Sequence, residues 1–208
     1  TELASLSQRL SALVFDASTS SLLLSFHSLL VRTDGLTILV DTCCGEDKER
    51  PQRPAWHRRR GPFLSNLARA GVRPEDVDIV MCTHLHADHV GWNTRLENGH
   101  WVPTFPNARY LFSDVEYRHW KTAHDHVAHD RSAAPTLYGS FADSVLPVVR
   151  SGQAEMVEDG ASPHRNIALA AAPGHTPGNM LIWLEGSGGR AVLCGDVFHH
   201  PIQLLRPE

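Results

Sequence analysis

The segment that most constrains this chain is Thr83-His84-Leu85-His86-Ala87-Asp88-His89. It follows the apolar run Val77-Asp78-Ile79-Val80-Met81-Cys82, which reads as a buried strand, and it stops just short of Gly91. A strand end is a fixed platform, and a loop leaving it can aim several side chains at one point. Imidazoles at 84, 86 and 89 with a carboxylate at 88 are donors of borderline softness, suited to Zn, Fe, Mn or Co. Crowding so many ionisable groups together with nothing to bind would be costly, which argues against a merely His-rich loop.

A metal centre needs ligands from elsewhere in the chain, and two more segments have the same character. Ala171-Ala172-Pro173-Gly174-His175-Thr176-Pro177-Gly178 sets one His in a Gly/Pro-rich turn directly after an apolar strand. Leu193-Cys194-Gly195-Asp196 sets one Asp just past another. Each of the three is a strand followed by an abrupt polar turn, as expected if the strand ends converge on one edge of a sheet.

Together the HxHxDH run at 84–89, the GHTPG run at 174–178 and the Gly195-Asp196 pair resemble the metallo-β-lactamase superfamily, from about Ser21 to Asp196. Val40-Asp41-Thr42 is similar to that family's strand-terminal Asp, which supports the ligands from behind. The resemblance implies an α+β fold, a four-layer αββα sandwich with the site at one edge of its two sheets. It implies Zn2+ as cofactor, one or two ions, with Fe, Mn or Co as substitutes. His84, His86 and His175 would hold one ion, Asp88 and His89 the second, and Asp196 would bridge them. Such a pair, roughly 3.5–4 Å apart, shares a hydroxide for attack on a carbonyl or phosphoryl centre. Asp88 would take or orient the proton of the attacking water, and Asp41 would hydrogen-bond a ligating imidazole.

The family supplies a further His some tens of residues after the bridging Asp, whereas this sequence ends at Glu208. Residues 1–208 are accordingly read as a single, C-terminally incomplete domain lacking closing elements of the fold. His199 and His200 are the available substitutes, but their closeness to Asp196 disfavours them. Gly91-Trp92-Asn93-Thr94 and Trp101-Val102-Pro103-Thr104-Phe105-Pro106-Asn107 are similar to the branch of lactonases and methyl-parathion-hydrolase-like enzymes. Trp92, Trp101 and Phe105 could line an apolar pocket wall there or serve as plain packing. The expected activity is hydrolysis of a medium-sized, apolar ester, lactone or phosphotriester. The alternatives are a glyoxalase-II-type thioesterase or persulfide dioxygenase, and a catalytically silent metal-binding or sensing module.

Composition narrows the partners. A net charge of −4 provides no global basic field for nucleic acid or an anionic membrane, and Arg58-Arg59-Arg60 reads as a solvated loop. No run approaches the roughly 20 apolar residues that span a bilayer. The expected partner is a small-molecule substrate; a homodimer is compatible with the sequence but not visible in its periodicity. Cys43, Cys44, Cys82 and Cys194 match no zinc knuckle, and Cys82 and Cys194 read as small core residues. Free thiols, together with a start at Thr1 without a signal pattern, give the expectation of a soluble, trimmed chain in the reducing cytoplasm.

Secondary structure follows the punctuation. Strands are expected at 21–31, 36–41, 77–82, 108–112, 167–172, 180–184 and 190–193, with a turn at Thr33-Asp34-Gly35. Pro62 to Gly71 has helix start and stop signals. Ser113-Asp114-Val115-Glu116 reads as a capping box opening a helix toward Asp130. His119, His124, His126 and His129 on that helix are read as a solvated face, and His27 and His57 as structural or outer-layer residues.

Overall fold

A computed structural model describes residues 14–16, 18–128 and 134–205. His129 lies outside them. The largest sheet joins β3 (Leu29–Thr33), β4 (Leu36–Val40), β5 (Ile79–Met81), β8 (Arg109–Ser113) and β9 (Ala154–Val157), in that spatial order. Its β3–β4 pair is an antiparallel hairpin and the other three pairs are parallel. A second, antiparallel sheet consists of β10 (Ile167–Ala171), β11 (Met180–Gly186) and β12 (Gly189–Leu193). Two small hairpins, β1 (Phe15–Asp16) with β2 (Ser21–Leu22) and β6 (Thr94–Glu97) with β7 (His100–Pro103), complete the strands.

Side-chain alternation, with a period of two, sorts the core into layers. Ile38 and Val40 of β4, Ile79 and Met81 of β5 and Leu111 of β8 meet Ile167, Leu169, Met180 and Ile182 of the second sheet. Leu39, Val80, Tyr110 and Phe112 face the other way, toward the helices. There Leu67 of α1 (Phe63–Arg69) and Tyr117 and Trp120 of α3 (Asp114–Ala128) cover them. So do Phe141 and Val145, in a π-helical turn that runs into α4 (Leu146–Arg150). Burial of each such side chain stabilises by about 1.5–3 kcal/mol. This is the expected α+β sandwich; the described residues supply its helical layer and both sheets. The short helices α2 (Ala87–Val90) and α5 (Ile202–Leu205) lie beside the site.

Some expectations change. Residues 23–28, expected to extend β3, are irregular, and Leu24, Phe26 and His27 line cavities instead of pairing. The β6–β7 hairpin, absent from the expected strands, follows Trp92. Phe105 is fully buried in the core rather than in a pocket wall. Trp101 lies beneath the buried ammonium of Lys48, 3.5 Å from its ring centre. Trp92 does face a cavity, stacked on Phe63. All four cysteines are free; Cys82 is buried as expected, whereas Cys194 is half-buried and Cys44 is the second core thiol. Arg60 pairs with Asp47 at 2.9 Å on the surface, in keeping with a solvated basic loop. Among the described residues no helix is long and apolar enough to cross a membrane.

One polar network inside the fold fixes the loop bordering the site. Lys48, with no exposed surface, donates to Thr94 Oγ1 at 2.6 Å, and Arg50 makes a bidentate pair with Asp143 at 2.7 and 2.8 Å. Burial pulls the Lys48 ammonium down to about 7, against the opposing pull of the Asp143 carboxylate.

Candidate metal centre

The C-terminal ends of β4, β5, β10 and β12 meet at one edge of the sandwich, where the Met180 N–H donates to the Thr83 carbonyl at 2.9 Å across the two sheets. Asp41 leaves β4 with φ +55°, a left-handed conformation that an Asp tolerates better than most residues. Its carboxylate accepts the Thr83 N–H at 2.8 Å, the Thr83 hydroxyl at 2.8 Å and His89 Nδ1–H at 2.8 Å. This is the supporting role the sequence suggested for Asp41.

The network fixes the state of His84. Since the Thr83 hydroxyl gives its proton to Asp41, its contact with His84 Nδ1 at 3.1 Å is one in which His84 donates. That leaves Nε2 as a bare lone pair. This atom is buried and has no hydrogen-bond partner among the described residues. Around the His84 ring stand those of His89, His86 and His175, with centroids 4.1, 4.6 and 4.8 Å from its own. Donor atoms of His84, His86 and His175 lie within 4.8 Å of one another, as do those of His84, His89 and Asp196. An orphaned, buried imidazole nitrogen facing an N/O donor set fits a zinc-type cation.

Asp196 sits between the two groups. Its Oδ1 is 3.3 Å from His89 Nε2, and its Oδ2 is 3.5 Å from His175 Nε2 and 4.0 Å from His84 Nε2. Gly195 makes the turn, at φ +49°, and a Cβ there would lie 2.5 Å from Thr83 Oγ1. Asp88, in the first turn of α2, stands to one side, 3.9 Å from His89 Nε2 and outside these close groups. Five of the six sequence-predicted residues thus converge, and Asp88 borders them.

Electrostatics differ among the imidazoles. Burial and the neighbouring rings hold His84 far below the usual range, and burial and His175 lower His86 to about 4. Burial also lowers His89, but the Asp41 and Asp196 carboxylates outweigh it and raise that group to about 10. A cavity of about 340 Å³ opens onto Asp88, His89, Asp196 and His199, with Leu24, Phe26, Val192 and Phe198 as apolar walls. A second, of about 380 Å³, adjoins it through Phe26 and His27 and reaches Trp92.

Sequence reasoning missed Glu116. The Glu116 N–H does lie 3.4 Å from Ser113 Oγ, but its carboxylate does not return to the helix start. With no exposed surface, it accepts the Leu85 N–H at 3.2 Å, the Trp120 indole N–H at 2.6 Å and the Gly178 N–H at 2.9 Å. It therefore ties the loop of His84 and His86 to the turn of His175. Trp120 in turn packs 5.8 Å from the His86 ring. His119 and His126 are exposed, as read, whereas His124 packs on Phe141. The His57 ring accepts the Arg50 N–H at 3.0 Å, a structural role.

Known proteins are similar to this chain in sequence and fold. Two curated relatives are each 31% identical to the chain: metallo-beta-lactamase domain-containing protein 1 of Xenopus laevis, over 78% of this chain and 50% of that protein, and a probable metallo-hydrolase of Mycobacterium tuberculosis, over 84% and 57%. The chain thus spans about half the length of the curated relatives it matches. Among solved structures, a probable metal-dependent hydrolase from Staphylococcus aureus superposes with a TM-score of 0.66 at 24% identity, covering 84% of this chain and 59% of that one. The dizinc quorum-quenching lactonase AidC superposes with a TM-score of 0.61 at 22% identity, covering 83% and 56%. Residues 26–208 match the sequence model of the metallo-beta-lactamase superfamily, and the chain belongs to that family.

Proposed function

We propose that this domain hydrolyses a medium-sized, apolar ester, lactone or phosphotriester at a two-zinc centre. The observation that carries the reading is the convergence of three further imidazoles and Asp196 on His84, whose buried Nε2 is orphaned, at the edge of an apolar-walled cavity. His84, His86 and His175 would hold one ion, His89 and Asp88 the other, with Asp196 between them. Zinc at such a centre supplies Lewis acidity, lowering the proton affinity of water and polarising a carbonyl or phosphoryl oxygen.

The protein's own contribution is orientation and proton handling. Asp41 and Thr83 hold the His84 and His89 rings with Nε2 turned inward, so little reorganisation is left for binding. Asp88 borders the cavity, 3.9 Å from His89 Nε2, and is positioned to accept the proton of an attacking water. Phe26, Phe198 and Val192 receive the apolar part of a substrate. The similarity to AidC, described as a dizinc quorum-quenching lactonase, supports a lactone as the first substrate to try.

The test is metal content per chain, measured by plasma emission spectroscopy on wild type and His86→Ala, followed by screening of lactones, esters and phosphotriesters. About two ions in wild type and loss in the variant is the expected result. A wild type that takes up no metal even after reconstitution would overturn the proposal.

A further inference from the structure

Two adjacent histidines past Asp196 have opposite surroundings. His200 is 5% exposed and both its ring nitrogens are used: Nδ1 accepts the Ile202 N–H at 3.1 Å, so Nε2 must donate to the Val14 carbonyl at 2.8 Å. The Gln203 side-chain oxygen accepts the backbone N–H of both His199 and His200, at 2.7 and 3.1 Å. This anchored bend leaves the His199 ring free to turn back on the site. Its Nε2 comes to 3.3 Å from Asp196 Oδ2, and its ring lies 4.8 Å from that of His175.

We infer that His199 is a metal ligand of this chain, joining His175 and Asp196 Oδ2 on the solvent side of the centre. The inference rests on the metal-centre reading above. Donor atoms of His175, Asp196 and His199 lie within 4.8 Å of one another, a group that shares His175 with one and Asp196 with the other of the two built on His84. From Asp196 Oδ2, the His199 and His175 nitrogens are at 3.3 and 3.5 Å. Donors arranged tetrahedrally around an ion with bonds of about 2.1 Å are about 3.4 Å apart, so these spacings are those of ligand neighbours. They are also longer than the usual N–H···O hydrogen bond of about 2.9 Å. The His199 side chain is 47% exposed, against 0% for His84, so the ligand it provides stands at the cavity mouth, where an incoming substrate meets the ion. The sequence spacing made this look implausible; the short turn Gly195–Val197 followed by extended Phe198 is what folds position 199 back onto position 196.

The experiment is a Co2+ and Zn2+ titration of the whole 208-residue chain against a chromophoric chelator, with the Co2+ visible spectrum recorded at each step. His199→Ala should weaken one ion at least about tenfold and change the Co2+ bands. His200→Ala should lower the melting temperature and leave the metal-saturated spectrum as in wild type. Binding that is lost in His86→Ala but unchanged in both affinity and spectrum in His199→Ala overturns this inference alone. A wild type that binds neither ion overturns it together with the metal-centre reading.

Discussion

Glu116 Oε2 accepts the Gly178 N–H at 2.9 Å, and the two backbones are so close that a Cβ at Gly178 would lie 2.3 Å from the Glu116 nitrogen. The same carboxylate holds Leu85, between two of the candidate ligands. Glu116→Gln should therefore do more than remove a charge, because its amide would point N–H groups at backbone N–H groups. A buried mispairing of this kind costs about 1–3 kcal/mol. Calorimetry should show a lower melting temperature, and the chelator titration weaker metal binding. Retained affinity in a folded variant would contradict the tie between the two loops.

Asp41→Asn tests the support behind His89. Its amide keeps the size of the side chain but cannot accept from all three donors that now converge on the carboxylate. Metal affinity should fall about 10–100-fold, the usual effect of losing such a partner. Competition titration at fixed pH measures it.

Gly91→Ala should be among the most damaging changes of a single methyl group. A Cβ there would lie 2.0 Å from the Cys44 carbonyl carbon and 2.2 Å from the Gly45 nitrogen, and neither backbone can yield easily. The Gly91 and Trp92 N–H groups bind the Cys43 and Thr42 carbonyls at 2.7 and 2.9 Å, which holds the loop after β4 to the turn after α2. The expected loss is about 1–3 kcal/mol in denaturant unfolding.

Lys48 gives a pH prediction whose sign is fixed by its burial. Its ammonium is held down to about 7 in the fold but titrates near about 10.4 when unfolded. Between those values the unfolded chain binds more protons, so this group's contribution to stability rises with pH. Relative to Lys48→Met, wild type should gain about 2 kcal/mol between about pH 7 and 8.5. Parallel urea curves for the two proteins would show it, and a flat difference would mean that the Asp143 carboxylate keeps the ammonium charged.

The strands were legible because β4, β5 and β10 are short apolar runs bounded by turn or polar residues, and the ligand loop because three His and an Asp sit within it. Asp41 was found from its place at a strand end. What stayed hidden depended on contacts between distant segments. Glu116 looked like half of a local capping box, since nothing within four residues shows that its partners are Leu85 and Gly178. For Phe105 and Trp101 the choice between pocket wall and plain packing stayed open, because an aromatic loop and an aromatic hairpin have the same composition. His199 was discounted on spacing, which ignores how tightly Gly195 turns the chain.

The centre draws on positions 84–89, 175 and 196, contributed by strands of both sheets. No fragment holding only the first sheet contains it, and the long loop closures between those positions must be completed before any ion is gripped by all of them. Metal uptake during refolding therefore reports the docking of β10–β12 on the larger sheet rather than early collapse. Because the ion favours only the assembled state, free metal at a hundredfold excess over its Kd adds about 2.7 kcal/mol to the cohesion of the two halves.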